Sequence, residues 1–226
     1  MLSKRLEAVA ERVPQAARMA DIGCDHAYLP LALLQRGQVS YAIGCDVNAG
    51  PLEAARKNAA QAGVALELRL ADGLAALQVG EVDVVTLAGM GAGLMVDILS
   101  AEPAVTAALK RIVVSPNVAP WLLRQWAMRA GFAVCEETVV EEHGHYYEVF
   151  ALEPAVERPV YDEMALYFGI TLPKQQDAVT TAYFAARKAS DAKLLAAWEA
   201  VRERRDDVAE RYARLHGLWQ RWEEMQ

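Results

Sequence analysis

Short apolar runs alternate with longer helical patterns, and this alternation restricts the fold of the chain more than any other feature. Between Ala20 and Leu152 the runs are rich in β-branched residues, and the segments between the first five runs have apolar residues at helical spacing. Such alternation is typical of βαβ units, whose parallel strands form one sheet covered by helices. The sequence therefore predicts an α/β fold.

Seven segments carry the strand pattern. They are Ala17–Ile22, Tyr41–Asp46, Leu66–Leu70, Val82–Ala88, Arg111–Ser115, Ala133–Val140 and Tyr146–Leu152. The helical stretches are predicted around Leu29–Gln35, Pro51–Gln61, Leu74–Leu77, Gly93–Leu99 and Ala104–Leu109. Only the polar, glycine-containing segment Glu141–His145 separates the last two strands, so we expect them to pair as an antiparallel hairpin.

The composition changes after a proline-bearing linker at Glu153–Pro159. From Lys174 to His216 there is neither Gly nor Pro, which favours long helices. Toward the C-terminus, apolar residues recur at a spacing of three or four, which predicts a coiled-coil or helical-hairpin seam. The seam closes either within one chain or between two. Its residues are Leu194, Trp198, Val201, Val208, Tyr212, Leu215, Trp219 and Trp222. The aromatic members suit helix packing better than base stacking. We predict an N-terminal domain at residues 1–154 and a helical arm at residues 155–226.

A turn of unusual chemistry follows the first predicted strand. Asp21 and Gly23 stand at the strand exit, directly before a helix, where backbone N–H groups approach a ligand. Asp25 and Ala27 replace the further glycines of a dinucleotide-binding fingerprint. A carboxylate there repels a diphosphate and attracts a cation, and S-adenosylmethionine carries both a sulfonium and an α-ammonium group.

Two more carboxylates end the next two predicted strands. Asp46 lies about 20 residues beyond Gly23, where an acid binds the ribose hydroxyls of nucleotides. Asp72 follows the third strand and suits an adenine amino group. Since the carboxyl ends of parallel strands share one edge of the sheet, we predict an S-adenosylmethionine site there, formed by Asp21, Gly23, Asp46, Val47, Asp72, Gly73, Ala88 and Gly89.

The methyl acceptor is expected beside two further segments. The glycines of TLAGMGAGLM leave room for a planar substrate or the methyl-bearing end of the cofactor, or else form a tight strand-to-helix turn. Asn117 offers a donor and an acceptor for reading a base edge, or it caps the following helix. The predicted substrate-binding residues are Met90, Gly91, Pro116, Arg124 and Tyr146.

The charge and the polar composition limit the partners. The net charge of −7 opposes extensive coating by nucleic acid. The arm is closer to neutral, and its arginines form either a phosphate-facing stripe or a solvated, salt-bridged face: Arg202, Arg204, Arg205, Arg211, Arg214 and Arg221. The three cysteines lie in apolar stretches without a CxxC pair, so we expect buried thiols and no metal. We also expect a cytoplasmic protein without a membrane span, as a monomer or weak dimer.

The chain resembles the bacterial tRNA adenine-22 N1-methyltransferases, the TrmK family, over nearly its whole length. The resemblance is carried by ADIGCDHAYLP (Ala20–Pro30), GPLEAARKN (Gly50–Asn58), DGL (Asp72–Leu74), AGMG (Ala88–Gly91), SPN with WLLRQW (Ser115–Trp126), YYEV (Tyr146–Val149) and LYFG with LPK (Leu166–Lys174). It implies a Rossmann-like class I methyltransferase domain, S-adenosylmethionine as donor, and a coiled-coil-like C-terminal domain that helps to grip tRNA.

The catalytic hypothesis follows from the chemistry of adenine N1, which is unprotonated at neutral pH and attacks a sulfonium methyl without a general base. We expect the enzyme to position the reactants and to stabilise the developing positive charge. Asp25 is the predicted acceptor beside the adenine amino group, with His26 and Asn117 holding the base. The alternatives are a methyltransferase for small molecules or proteins, which the acidic charge favours, and a non-catalytic binding module.

Overall fold

The computed structural model describes residues 2–200 and 206–225. Its strands are β1 (Ala17–Ile22), β2 (Val39–Asp46), β3 (Glu67–Leu70), β4 (Val84–Ala88), β5 (Arg111–Ser115), β6 (Phe132–Glu142) and β7 (His145–Pro154). Its α-helices are α1 (Lys4–Glu11), α2 (Tyr28–Gln35), α3 (Ala49–Ala62), α4 (Ala92–Ala101), α5 (Pro103–Ala107), α6 (Trp121–Ala130), α7 (Glu163–Phe168), α8 (Ala178–Glu199) and α9 (Asp206–Glu224).

The strands form one mixed sheet with a topological switch point beside β1. Within the described residues the order is β3-β2-β1-β4-β5-β7-β6, so β2 and β3 lie on one side of β1 and the later strands on the other. Strands β1 to β5 pair in parallel, whereas β7 runs antiparallel between β5 and β6. The α/β sheet and the terminal hairpin are both confirmed. Open sheets of this kind bind ligands at the carboxyl ends of the strands, at the switch point.

The predicted helix at Leu74–Leu77 is a single 3-10 turn, Gly73–Ala76. The Ala75 N–H bonds the Asp72 carbonyl at 3.2 Å and the Leu77 N–H bonds the Leu74 carbonyl at 2.9 Å, a three-residue spacing. This segment is too short to establish the four-residue hydrogen bonds of an α-helix, so the tighter turn forms instead.

Helix α1 packs on the half of the sheet that contains the antiparallel hairpin. Its Ala8, Val9 and Ala10 are buried in a cluster with residues of β1, β2, β4, β5 and β7. At the start of the helix, the Lys4 backbone N–H donates to the Glu142 carboxylate at 2.7 Å. These contacts place the first turn of α1 beside the end of β6.

A buried ion-pair cluster fastens α6 to the hairpin. Arg124 is fully buried, and its guanidinium donates to the carboxylates of Glu137 on β6, at 2.8 Å, and Glu148 on β7. It also lies over the ring of Phe150, at 4.9 Å from the centroid. The prediction that Arg124 binds substrate is therefore wrong, because its side chain has no exposed surface and serves the packing of α6.

The chain divides into two compact units, residues 1–160 and 161–226. In the second unit α8 and α9 run antiparallel, since Lys188 pairs with Glu223 at 2.7 Å and Trp219 Nε1 donates to Asp191 at 2.9 Å. The Trp222 ring lies 4.4 Å from that of Phe168. These contacts confirm the helix-packing interpretation of Trp219 and Trp222, whose part of the seam closes within one chain.

Other predictions for the arm and the cysteines have mixed outcomes. Arg214 and Arg221 both pair with Glu163, so they belong to a salt-bridged face rather than to a free stripe. Val201, Arg202, Arg204 and Arg205 lie outside the described residues. Cys24 and Cys45 are buried, but the prediction for Cys135 is wrong, because it is exposed. In the part of the chain that the structure describes, no helix has the length and apolarity to cross a bilayer.

The Arg124 cluster leads to a prediction on stability. Arg124→Met removes the guanidinium and leaves Glu137 and Glu148 buried without their cationic partner, which should lower the free energy of unfolding by about 3–5 kcal/mol. Urea unfolding at pH 7 measures the loss. Arg56→Met, which breaks an exposed pair with Glu53, is the control and should change stability little. Equal stability of both variants would contradict the structural role of Arg124.

Candidate active site

Two cavities open along the carboxyl edge of the sheet, and Gly23 lines both. The large cavity has a volume of about 450 Å³, and the small cavity has about 180 Å³. The large cavity is lined by Ser3, Arg5, Leu6, Asp21, Gly23, Cys24, Asp25, His26, Tyr28, Leu29, Ala88, Gly89 and Glu142. The small cavity is lined by Ile22, Gly23, Cys45, Asp46, Val47, Ala71, Asp72, Gly73, Met90, Leu94 and Ile98.

The backbone of the turn after β1 has a left-handed conformation at three positions. The φ angles are +72° at Gly23, +49° at Asp25 and +58° at Ala27. Only glycine adopts this region without cost, so Asp25 and Ala27 are strained, as residues at functional sites often are. At Gly23 an added Cβ would also lie 2.8 Å from Met90 Cε, so the Met90 side chain, which lines the small cavity, would have to shift.

The end of β2 holds this turn in place. The N–H groups of Gly23 and Cys24 both donate to the Cys45 carbonyl at 2.9 Å, and the Asp25 N–H donates to Asp46 Oδ2 at 3.2 Å. The other oxygen of Asp46 accepts from the Asn48 N–H at 2.9 Å. A carboxylate oxygen has two lone pairs, so each oxygen of Asp46 can still accept one more hydrogen bond from a ligand in the small cavity.

Asp21 is the buried carboxylate of the large cavity. Its side chain accepts a hydrogen bond from the Thr86 hydroxyl at 2.6 Å. Burial raises the pKa of Asp21 to about 7; the Asp46 charge acts in the same direction and the Thr86 hydrogen bond opposes it. A cation bound in the large cavity would favour the ionised form of this carboxyl.

Two of the three predicted catalytic residues, Asp25 and His26, lie on the exposed wall of the large cavity. The Asp25 side chain is 68% exposed, and its Oδ1 lies 3.6 Å from Nε2 of His26. The His26 carbonyl accepts from the Asn58 amide at 3.0 Å, and its ring lies 5.6 Å from that of Tyr28. The Asp25 carboxylate therefore faces space that a substrate can enter, whereas Asp46 is nearly covered by protein.

Asn117 joins the loops after β4 and β5. Its Nδ2 donates to the Gly89 carbonyl at 2.7 Å, and its backbone N–H donates to the Met90 carbonyl at 2.9 Å. Its Oδ1 accepts from the guanidinium of Arg5 at 2.8 Å. Pro120, not Asn117, is the N-cap residue of α6, so the capping alternative is not what the structure shows.

The structure brings some predicted residues to the cavities and leaves others outside. All eight predicted cofactor residues, with Asp25, His26 and Met90, line one cavity or the other. Gly91, Pro116, Asn117 and Tyr146 do not line either cavity, and Pro116 is buried.

Tyr147, rather than the predicted Tyr146, lies beside a residue that lines the large cavity. Side chains alternate along β7, and Glu148 contacts α6, so Tyr146 lies on the α6 face of the sheet. Tyr147 lies on the opposite face, 4.2 Å from the Arg5 guanidinium, which itself lines the large cavity.

Comparison with known proteins decides the family. Residues 2–150 match a family described as a methyltransferase domain. The chain is 36% identical, over 184 residues, to the tRNA (adenine(22)-N(1))-methyltransferase of Bacillus subtilis, a match that covers 79% of this chain and 77% of that protein. The chain belongs to the tRNA (adenine(22)-N(1))-methyltransferase family.

Two solved structures of this methyltransferase fold extend the comparison over the length of the chain. The Bacillus subtilis m1A22 tRNA methyltransferase TrmK matches with a TM-score of 0.83 at 30% identity, covering 96% of this chain and 98% of that one. Streptococcus pneumoniae Sp1610, in complex with S-adenosyl-L-methionine, matches with a TM-score of 0.81 at 33% identity, covering 96% and 99%. The Rossmann-like fold and the TrmK family are confirmed.

The cavities of this TrmK-family chain fit S-adenosylmethionine by their charge. Gly23 lines both of them, and the large cavity has a volume in the range that small ligands occupy. Asp46 and Asp72 in the small cavity suit ribose hydroxyls and an adenine amino group, and Asp21 in the large cavity suits a cationic amino acid end. Among residues 2–200 and 206–225, no cluster of three or more His, Cys, Asp or Glu side chains is arranged to hold a metal ion.

The raised pKa of Asp21 predicts how cofactor affinity depends on pH. At pH 6 the carboxyl is mostly protonated, and it ionises as the pH rises through about 7, which should strengthen its attraction for the cationic ligand. Calorimetric titration with S-adenosylmethionine should show affinity rising severalfold, up to roughly tenfold, between about pH 6 and pH 7.5. Over most of this range the ligand keeps its α-ammonium charge.

Asp21→Asn supplies the control for that titration. An amide has no charge to gain, so the variant should bind S-adenosylmethionine more weakly at pH 7.5 and with a flatter pH dependence. An equal rise in affinity in the variant would show that another group is responsible.

Proposed function

We propose that this chain transfers the methyl group of S-adenosylmethionine to N1 of adenine 22 in tRNA, and that the two joined cavities are its catalytic site. The observation that carries the proposal is that Gly23 lines both a small cavity with Asp46 and Asp72 and a large cavity with Asp21 and Asp25. The match to tRNA (adenine(22)-N(1))-methyltransferases over most of the chain supports the substrate.

The cofactor-binding residues divide between the cavities. Asp46 and Asp72 hold the adenosine part in the small cavity beside Val47 and Gly73, and Asp21 holds the amino acid part in the large cavity. Ala88 and Gly89 form the wall of the large cavity at the end of β4. When bound, S-adenosylmethionine supplies an electrophilic methyl group on a positively charged sulfur.

The protein then has to position the base rather than activate it. The lone pair of adenine N1 forms the new N–C bond as the S–C bond breaks, so positive charge moves to the adenine ring and no proton needs to be removed first. Asp25 faces the open part of the large cavity and stabilises that charge by accepting a hydrogen bond from the adenine amino group. His26 lies beside the space for the base, Asn117 acts indirectly by holding the Gly89 carbonyl, and Met90 lines the neighbouring small cavity.

Adenine must leave its stack to enter this site. A cavity recessed at the sheet edge is out of reach of a base within a helix, so the nucleotide is flipped out of the tRNA. The exposed Tyr28 ring, beside His26, offers an apolar surface at the entrance. We assign methyl transfer to residues 1–154 and tRNA gripping to the helical arm, residues 155–226. We infer a cytoplasmic location from the proposed tRNA substrate.

The substrate assignment is tested with unmodified tRNA transcripts and labelled S-adenosylmethionine. A transcript with adenine at position 22 should accept one methyl group at N1, and a transcript with guanine at position 22 should accept none. Mass spectrometry of digested tRNA identifies the product. Labelling of protein or small metabolites in a cell extract, with none of tRNA, would favour the alternative class of methyltransferase and overturn the proposal.

The role of Asp25 has its own test. Asp25→Asn removes the negative charge that stabilises the developing cation, so kcat should fall by roughly 10²–10³-fold while S-adenosylmethionine affinity changes much less. Single-turnover methylation of tRNA and calorimetry measure the two quantities. Asp97→Asn, an exposed aspartate on α4 that lines neither cavity, is the control. Parental turnover in Asp25→Asn would remove Asp25 from the mechanism.

A further inference from the structure

We propose that Arg5, in the first turn of α1, is a positioning residue of the methyl-transfer site that acts through Asn117. The inference rests on the proposed function, because it concerns how the acceptor side of that site is held. In the structure Arg5 lines the large cavity together with Asp21 and Gly89.

The Arg5 guanidinium uses its planar arrangement of donors to bind the end of β5. Its Nε donates to the Ser115 hydroxyl at 2.8 Å, one terminal nitrogen donates to Asn117 Oδ1 at 2.8 Å, and the other donates to the Ser115 carbonyl. The guanidinium carbon also lies 4.2 Å from the centre of the Tyr147 ring. A lysine has a single nitrogen and no plane to stack, so it cannot reproduce these four contacts together.

Asn117 connects Arg5 to the wall of the large cavity by hydrogen bonds. With Oδ1 held by Arg5, the amide can only direct Nδ2 the other way, and Nδ2 donates to the Gly89 carbonyl at 2.7 Å. Gly89 has a φ of +85°, which glycine adopts without strain, and it has no side chain to pack it in place, since even an added Cβ would meet nothing within 4 Å. Its position therefore depends on hydrogen bonds, and Arg5 fixes which way the Asn117 amide is turned.

Helix α1 is also docked by residues other than Arg5. The apolar residues Ala8, Val9 and Ala10 bury the helix against the sheet, and Glu7 forms a two-pronged ion pair with Arg36, at 2.6 and 2.8 Å. Burial lowers the pKa of Arg5, with Tyr147 and Glu142 opposing that effect, so keeping this cation under the sheet edge is costly. A costly contact that is directed at the site, on a helix that other residues also dock, is explained by a role in positioning.

The test is a double-mutant cycle on the full-length protein. Arg5→Lys and Asn117→Ala should each lower kcat for tRNA methylation by roughly tenfold or more, because a displacement of about 1 Å at a reacting centre costs up to 10²-fold. KM for tRNA and S-adenosylmethionine affinity should change less than about threefold. If Arg5 acts through Asn117, the double variant should be no slower than Asn117→Ala alone.

Glu7→Gln is the matched control, since it weakens α1 docking on the same helix without touching the site. It should keep the parental kcat. The proposal would be overturned if the kcat losses of the two single variants multiplied in the double variant. It would also be overturned if Arg5→Lys kept the parental kcat. A fall in kcat that Glu7→Gln reproduces would also overturn it, because the effect would then come from loosening the helix.

A second measurement separates this inference from the proposed function. In isotope-labelled protein, the backbone amide signals of Gly89 and Asn117 report the position of the loops without any turnover. Arg5→Lys should shift both signals and Glu7→Gln should not. If the parent protein fails to methylate tRNA but these shifts occur, the proposed function fails and the positioning role stands. Unshifted signals in Arg5→Lys would refute the positioning role whatever the substrate is.

Discussion

The hydrogen bonds between the turn after β1 and the end of β2 are the constraint on which the rest of the site depends. The Cys45 carbonyl and the Asp46 carboxylate hold a turn in which Gly23, Asp25 and Ala27 all have left-handed backbone angles. Two of these residues are not glycine and would relax without those bonds. Because the turn keeps this shape, Gly23 lines both cavities and the Asp25 carboxylate faces outward.

The switch point of the sheet explains why the turn can be held in this way. Strand β1 lies between β2 and β4, so the loops after all three end at the same edge, and the loop after β5 lies next to them. Carboxylates from three separate segments of the chain therefore collect there: Asp21 with Asp25, Asp46, and Asp72. Their mutual repulsion and burial are unfavourable in the free protein, as the raised pKa of Asp21 shows, and a cationic ligand relieves that cost.

The part of the fold that depends on local patterns could be predicted from the sequence. Apolar runs indicate the strands, and the residue after each run marks the edge of the sheet, which is how Asp46 and Asp72 could be assigned to one site. Contacts between distant segments could not be predicted in this way. Arg5 reaches the site only because α1 packs across the sheet onto β5 and β7, and Arg124 is withdrawn from solvent by two glutamates of the hairpin. The choice between Tyr146 and Tyr147 depends on a strand register that periodicity alone does not provide.

The central claim is that the two cavities form one site around Gly23 for a single molecule of S-adenosylmethionine. A crystal structure with the product S-adenosylhomocysteine tests it most directly. We expect the ribose hydroxyls at the Asp46 carboxylate, the adenine beside Asp72, and the amino acid end across Gly23 beside Asp21. Electron density for the ligand elsewhere on the protein, with only water in the two cavities, would contradict the claim.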